Sequence, residues 1–524
     1  MAEGTPARAR PWWVDAVTYQ IYPRSFCDSD GDGVGDLEGI RRRLDHLAWL
    51  GIDAIWLSPF FRSPMADFGY DVSDYCDVDP LFGDLAGFDT LLAEAHERGL
   101  RVVIDWVPNH SSDQHPWFVA ARSSRTDEHR DFYHWRDPDP EDPTKPPNNW
   151  IAAFAPVPAW TFDAGSGQWY LHLFLPEQPD LNWGNPAVAA AMQDTLRFWL
   201  DRGVDGFRMD VIHAIGKDPS LPDLPAESAA IPACAQIDGP NTHGHLRELR
   251  TLLDSYQGDR MMVGEVFLLD TALVAPYYGT PEHPELHLSF NFPPLRSPWE
   301  ARVWRRRVDQ TMAELGPRDA WPTWVLSNHD NPRHRTRYGS EARARAAAVL
   351  LLGLPGAPYV YAGEELGLRD AVVPPDRIVD PGGRDGCRAP IPWDDSPAHG
   401  WASADPWLPW PPGVDAGIDA ETQAADPDSM LHLYRRILAA RKASAALRHG
   451  SFRWLETPEG VLGWERHDAA TGDRRSVLVN FTDAAVEVAV THTATIEVST
   501  HSTAAAAGSP FSGALSPDEA VITR

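Results

Sequence analysis

At 524 residues the chain is long enough for a large catalytic domain with insertions and a smaller appended domain. A formal net charge of −29, with no clustered basic stripe, opposes nucleic acid and anionic membrane surfaces, so a neutral small molecule is the better-fitting partner. Hydrophobic residues at 43% and charged residues at 23% are ordinary for a globular protein, and no run approaches the roughly 20 apolar residues of a membrane span.

Met1 to Arg10 carry no apolar signal core, so export by that route is not expected and a cytoplasmic setting is. The first apolar run, 16–22, leads into an acidic loop, Asp28-Ser29-Asp30-Gly31-Asp32-Gly33-Val34-Gly35-Asp36. Carboxylates at alternate positions suit a hard divalent cation, with Asp28, Asp30, Asp32 and Asp36 as ligands and Val34 supplying its carbonyl. The loop imitates the start of an EF-hand, but its twelfth position is Gly39, which has no carboxylate to offer.

From there short β-branched or apolar runs alternate with longer amphipathic stretches. Strands are predicted at 16–22, 54–57, 101–105, 206–210, 261–265, 286–291, 323–327 and 358–361, and helices at 37–50, 85–98, 186–202, 245–256 and 341–352. Eight strand–helix units predict an α/β fold, a (β/α)8 TIM barrel. The stretch after the third strand is rich in Pro, Trp, Asp and Asn and reads as an inserted domain, 107–181, so the barrel comprises 1–106 and 182–447. A second irregular insertion falls at about 368–427, and both should shape the pocket at the carboxyl ends of the strands. After a helix-like 429–445, the alternating pattern of 448–524 predicts a C-terminal all-β sandwich. The cysteines, Cys27, Cys76, Cys234 and Cys387, form no C-x-x-C pair; free thiols are expected, although sequence alone leaves a bridge open.

Chemistry concentrates at strand ends. Asp210 follows Arg208 by two positions and shares its face of the strand, where a guanidinium can keep a carboxylate ionised; it is the candidate nucleophile. Glu265 ends the next strand behind Gly264, expected to leave room for a ligand, and a carboxyl in a partly apolar pocket can act as general acid and then base. Asp330 with His329, and His110 with Asp105, end two further strands and can hydrogen-bond the hydroxyls of a sugar ring. Carboxylates gathered in this way are what cleavage of a glycosidic bond requires.

Asp105-Trp106-Val107-Pro108-Asn109-His110, the 206–213 stretch Gly-Phe-Arg-Met-Asp-Val-Ile-His, Gly264-Glu265-Val266 and Ser327-Asn328-His329-Asp330 occur together, and in this the chain resembles glycoside hydrolase family 13, the α-amylase family, from about Trp12 onward. The resemblance implies Asp210 as nucleophile, Glu265 as acid/base, Asp330 as transition-state stabiliser, and His110, Arg208 and His329 as ligands of the sugar at the cleaved end. Gln178-Pro179-Asp180-Leu181-Asn182-Trp183 is similar to the signature of the α-glucosidase and oligo-1,6-glucosidase branch. That branch implies that Asp67 and Tyr70 grip a terminal glucose, that Arg388 closes the pocket behind it, that Phe154 and Phe174 flank the next subsite, and that Gln178 orients the nucleophile. A similar loop after the first strand binds Ca2+ in the family, which implies a structural Ca2+ at 28–36. The activity implied is exo-acting, retaining hydrolysis of short α-glucosides, with an α-glucosyltransferase or sugar isomerase (trehalose-synthase-like) as the alternative. Val211 resembles the residue associated with α-1,6 bonds, whereas His213 in place of Asn and the wording of 384–393 speak against a strict isomaltose preference.

Overall fold

Runs of β-branched, aromatic and aliphatic residues that are buried on both faces become parallel strands, because only a sheet covered on both sides accepts them. In the computed structural model, which describes residues 10–489, 494–501 and 507–524, these are β1 Thr18–Ile21, β2 Ala54–Leu57, β3 Arg101–Trp106, β4 Gly206–Met209, β5 Met261–Gly264, β6 Leu288–Ser289, β7 Thr323–Val325 and β8 Ala357–Tyr361. They form one eight-stranded parallel sheet in the order β6-β5-β4-β3-β2-β1-β8-β7, a TIM barrel closed except for the backbone ladder between its end strands. Side chains bridge that seam: Thr323 Oγ1 donates to Ser289 O at 2.7 Å, and Tyr278 Oη donates towards Ser289 O and Trp321 O.

Helices between strands begin where the chain offers caps. Asp84 accepts from Gly87 N ahead of Leu85–Glu97, Asn185 from Ala187 N ahead of Pro186–Arg202, and Ser340 from Arg343 N ahead of Glu341–Gly353. Two elements differ from expectation. The helix predicted over 37–50 breaks into Leu37–Arg42 and Leu44–Leu50 at Arg43, whose guanidinium lies 4.5 Å from the Trp393 ring and donates to Gly400 O. The strand predicted over 286–291 shrinks to Leu288–Ser289, since Asn291 turns its amide to Thr311 and prolines 293 and 294, which lack a ladder N–H, start the helix Phe292–Leu295.

Between β3 and β4 the chain forms a three-stranded antiparallel sheet, Trp135–Arg136, Gln168–Leu171 and Trp160–Asp163, and a helix, Pro116–Ser123, that its weak periodicity did not predict. His115 caps that helix and Pro116 supplies its preset φ. A buried ion pair, Lys217 Nζ to Asp180 Oδ2 at 2.9 Å, ties the loop after β4 to this segment, with both side chains at 0% exposure. After helix Met430–Ala443, a five-stranded antiparallel sheet and a two-stranded one, Val486–Glu487 with Ala514–Leu515, make the C-terminal sandwich. Of the alternating 448–524 stretch, residues 490–493 and 502–506 lie outside the described residues. The larger sheet docks through Trp464 and Arg466, both donating to Gly353 O at the end of Glu341–Gly353. Among the described residues no helix is long and apolar enough to cross a membrane, and all four cysteines are free thiols.

Candidate active site

β4 ends Arg208-Met209-Asp210, so residues 208 and 210 point the same way out of the carboxyl end of the barrel. The Arg208 guanidinium becomes a hub. Its Nη1 donates to Asp210 Oδ1 at 2.6 Å and to Asp105 Oδ1 at 2.8 Å, and its Nη2 donates to Glu265 Oε2. Three carboxylates from three neighbouring strands therefore share one cation. Burial raises the Asp210 carboxyl, Arg208 opposes that, and the neighbouring Glu265 and Asp105 add to the rise. Burial likewise pushes Asp105 up to about 6 despite Arg208 and the Trp56 indole N–H.

Gly264, ahead of Glu265, is required for a different reason than expected. A Cβ there would meet Leu286 Cδ1 at 2.4 Å and Ile212 Cγ2 at 3.1 Å, so the missing side chain makes room for the core rather than for a ligand. Val211, directly after Asp210, adopts φ +34°, a left-handed conformation costly for a β-branched residue, and thereby aims its N–H at Glu265 Oε2 at 3.3 Å. His213 bonds the carbonyl of Cys234 at 2.7 Å and pins the loop after β4.

The second half of the site comes from β7 and the loops. Tyr70 Oη bonds His329 Nε2 at 2.6 Å and Asp105 Oδ2 at 3.3 Å, with its ring stacked on His329 at 5.5 Å. Burial lowers His329 to about 3 and His110 to about 4, so both imidazoles are neutral at neutral pH. Burial also opposes ionisation of Asp330, yet His329, Arg384 and Arg388 hold its carboxyl well below the usual range. With His329 itself neutral, the two guanidiniums carry that compensation. Asp67 is raised by burial, again against Arg384.

Arg384 was missed in the sequence. Its Nη2 donates to Asp67 Oδ1 and Asp380 Oδ1, both at 2.6 Å, its Nη1 donates to Asp330 Oδ1 at 3.0 Å, and its Cζ lies 4.6 Å from the Phe154 ring centroid. Arg388, expected to close the pocket, is instead fully buried behind Asp330, donating to Asp330 Oδ1, Asp380 Oδ1 and His329 O. Gln178 also departs from expectation, turning its amide to Asp67 Oδ2 and His110 Nε2, each at 3.1 Å. No sequence signal separates Arg384 from Arg388; only the fold shows which one reaches the cavity.

That cavity, about 470 Å³, is lined by Asp67, Tyr70, His110, Phe154, Phe174, Asp210, Glu265, Asp330 and Arg384, among others. Arg208, His329, Gln178 and Arg388 stand behind it as a buried supporting layer. Among the described residues the ion pairs of Asp67, Asp105, Asp210, Glu265, Asp330 and Asp380 are all made with Arg208, Arg384 and Arg388, apart from the His329 contact to Asp330.

Remote from the cavity, Asp28, Asp30 and Asp36 bring carboxylate oxygens within 4.8 Å of one another. Asp28 and Asp36 are buried without an ion-pair partner among the described residues, a donor set that fits a hard cation. Asp32, expected as a fourth carboxylate ligand, is exposed and lies outside this group, its Oδ1 accepting from Val34 N at 2.7 Å. At Gly33, φ is +86° and a Cβ would meet Asp405 O at 2.5 Å, so only glycine closes this loop against 403–407.

A parallel eight-stranded barrel whose strand ends gather paired carboxylates over one guanidinium is the framework of a glycoside hydrolase. The chain belongs to the α-amylase family: the family model described as alpha amylase, catalytic domain, matches residues 20–450. It is 43% identical over 488 residues to the "Probable alpha-glucosidase" of Rhizobium meliloti (strain 1021), covering 87% of each chain. It is 38% identical over 526 residues to the oligo-1,6-glucosidase of Parageobacillus thermoglucosidasius, covering 90% of this chain and 91% of the relative. Among solved structures it is similar to the alpha-glucosyl transfer enzyme XgtA, with a TM-score of 0.89 at 40% identity, covering 98% of this chain and 99% of that one.

Proposed function

We propose that the protein is a retaining, exo-acting α-glucosidase that removes one terminal α-glucosyl unit from short oligosaccharides or small α-glucosides. The observation that carries this is the shared guanidinium: Arg208 binds Asp210 and Glu265 together at the floor of a cavity whose far side is barred by the Asp67–Arg384–Asp330 bridge. We read the Asp67–Arg384–Asp330 bridge as the closed end of the cavity, which is why the reading is exo.

Asp210, whose ionised form Arg208 favours against burial, attacks C1 while Glu265 protonates the glycosidic oxygen, giving a glucosyl ester. Glu265 then takes a proton from water, which attacks C1 and releases Asp210. Asp330 and Asp67 accept hydrogen bonds from ring hydroxyls, neutral His110 adds an uncharged partner, and neutral His329 holds the Tyr70 hydroxyl from behind. Following the anomer of freshly released glucose by NMR tests this: α-glucose should appear first, and β-glucose appearing first refutes retention.

A Ca2+ bound by Asp28, Asp30 and Asp36 would cross-link the loop after β1 and hold it against 403–407, a structural role with no part in the chemistry. A cytoplasmic location agrees with four free thiols. Transfer to an alcohol in place of water uses the same ester and is the second activity of this site.

A further inference from the structure

Gln20 lies on β1 with its backbone held from both sides: its register partners are Trp56 on β2 and Tyr361 on β8, and its carbonyl accepts from Ala362 N at 3.0 Å. The residue is 1% exposed and is not among those that line the cavity. A buried side-chain amide needs partners, and this one has them. Its Nε2 lies 2.7 Å from His329 Nδ1 and 3.2 Å from Ser58 Oγ, which uses both of its N–H groups.

An amide N–H can only donate, so His329 Nδ1 accepts. The neutral imidazole has a single proton, and it is thereby left on Nε2. That edge of the ring meets two oxygens, Tyr70 Oη at 2.6 Å and Asp330 Oδ2 at 3.3 Å. The opposite tautomer would turn a lone pair towards the Asp330 carboxylate. Tyr70 would then have to give its only proton to the imidazole, and the bond it donates to Asp105 Oδ2 at 3.3 Å would be lost.

We propose that Gln20 is a positioning residue that acts through His329: its amide fixes the Nε2–H tautomer, and this proton holds Tyr70 and Asp330 in the arrangement that receives the sugar. The inference rests on the α-glucosidase reading, because turnover is one of its readouts.

Two substitutions of similar size separate this role from packing. Gln20→Met removes the donor, whereas Gln20→Glu replaces it by an acceptor. When ionised, the new carboxylate requires Nδ1–H and leaves Nε2 bare; a further proton taken up by the pair, on either partner, restores Nε2–H. On an aryl α-glucoside at about pH 8, kcat/KM should fall about 10-fold in Gln20→Met and about 100-fold in Gln20→Glu. The Gln20→Glu deficit relative to the parent should shrink at least about 5-fold by about pH 5.5, while that of Gln20→Met stays constant. Tyr70, Asp330, Arg208, Arg384 and Arg388 also face His329, but they are common to all three proteins and cancel in the ratio. In a His329→Asn background Gln20→Met should cost less than about 2-fold. A Gln20→Glu deficit that does not change with pH, or a Gln20→Met loss undiminished in the His329→Asn background, overturns the inference.

Two-bond 1H–15N spectra of the parent labelled with 15N-histidine, with residue 329 assigned by its loss in His329→Asn, need no folded Gln20 variant. A proton on Nδ1 overturns the inference there as well. A parent that leaves the aryl α-glucoside uncleaved refutes the α-glucosidase reading instead, a failure the spectrum does not share.

Discussion

Replacing Arg384 by Met keeps most of the side-chain volume and removes the cation from the bar across the cavity. Asp380 and Asp330 retain Arg388, but Asp67 is left with only the Gln178 amide, buried at 3% exposure. Stranding one buried carboxylate costs about 3 kcal/mol. For 524 residues at about 2.1 cal/mol/K of unfolding entropy each, or about 1.1 kcal/mol/K, the expected loss in Tm at pH 7.5 is about 3 °C. The pH dependence gives the sharper check. Asp330 is held low, so its contribution to stability exists above the unfolded carboxyl range and is lost as pH falls; removing Arg384 raises it. Asp67, already raised, rises further. The folded variant therefore binds protons more readily than the parent, and its deficit should shrink between pH 7.5 and pH 5. Activity should fall by about 100- to 1000-fold in kcat/KM, since both carboxylates that receive the ring hydroxyls are released. Calorimetry across pH, with kinetics on an aryl α-glucoside, measures both. A Tm deficit that stays constant with pH would refute the electrostatic account.

Azide should rescue the two catalytic carboxylates differently: Glu265→Gln with azide should yield α-glucosyl azide, Asp210→Gly the β anomer, and identical products from both would exchange or void the roles. Because burial raises Asp210 and puts Asp105 at about 6, kcat/KM should fall as pH drops through about 6 and the cluster takes up a proton; Trp56→Phe, which removes a donor to Asp105, should move that limb up by about one pH unit. Removing divalent cations with EDTA should lower Tm and Ca2+ should restore it, whereas Asp28→Asn and Asp36→Asn should abolish the response to both; a Tm indifferent to EDTA in the parent argues against the cation.

Most of the barrel was legible because its strands are short, apolar on both faces and separated by capped helices, so period and punctuation agree. β6 was only partly legible, since its length is set by Asn291 and two prolines rather than by hydrophobicity. The helix at Pro116–Ser123 was hidden by its brevity, although His115-Pro116 is a start signal. At the site, Asp210 and Glu265 could be singled out because each directly follows a strand, where direction is fixed by pleat, whereas Asp330 lies in the turn beyond β7 and was marked by the Ser-Asn-His-Asp motif alone. Arg384 could not, because it sits in a Gly-Gly-Arg-Asp-Gly loop whose path is determined by tertiary contacts with Asp380 and Phe154. The role of Gly264 was misjudged for a similar reason: its neighbours Leu286 and Ile212 are remote from it in the order of reading or face it only after folding.

Six acids share three guanidiniums at the inner end of the cavity, an excess of carboxylate that suits the positive charge a sugar carbon acquires in flight. Any small protonated amine carrying hydroxyl groups mimics that moment without reacting. Common polyhydroxylated amine buffers are therefore poor choices for assaying this protein, and basic iminosugars are a natural starting point for blocking it.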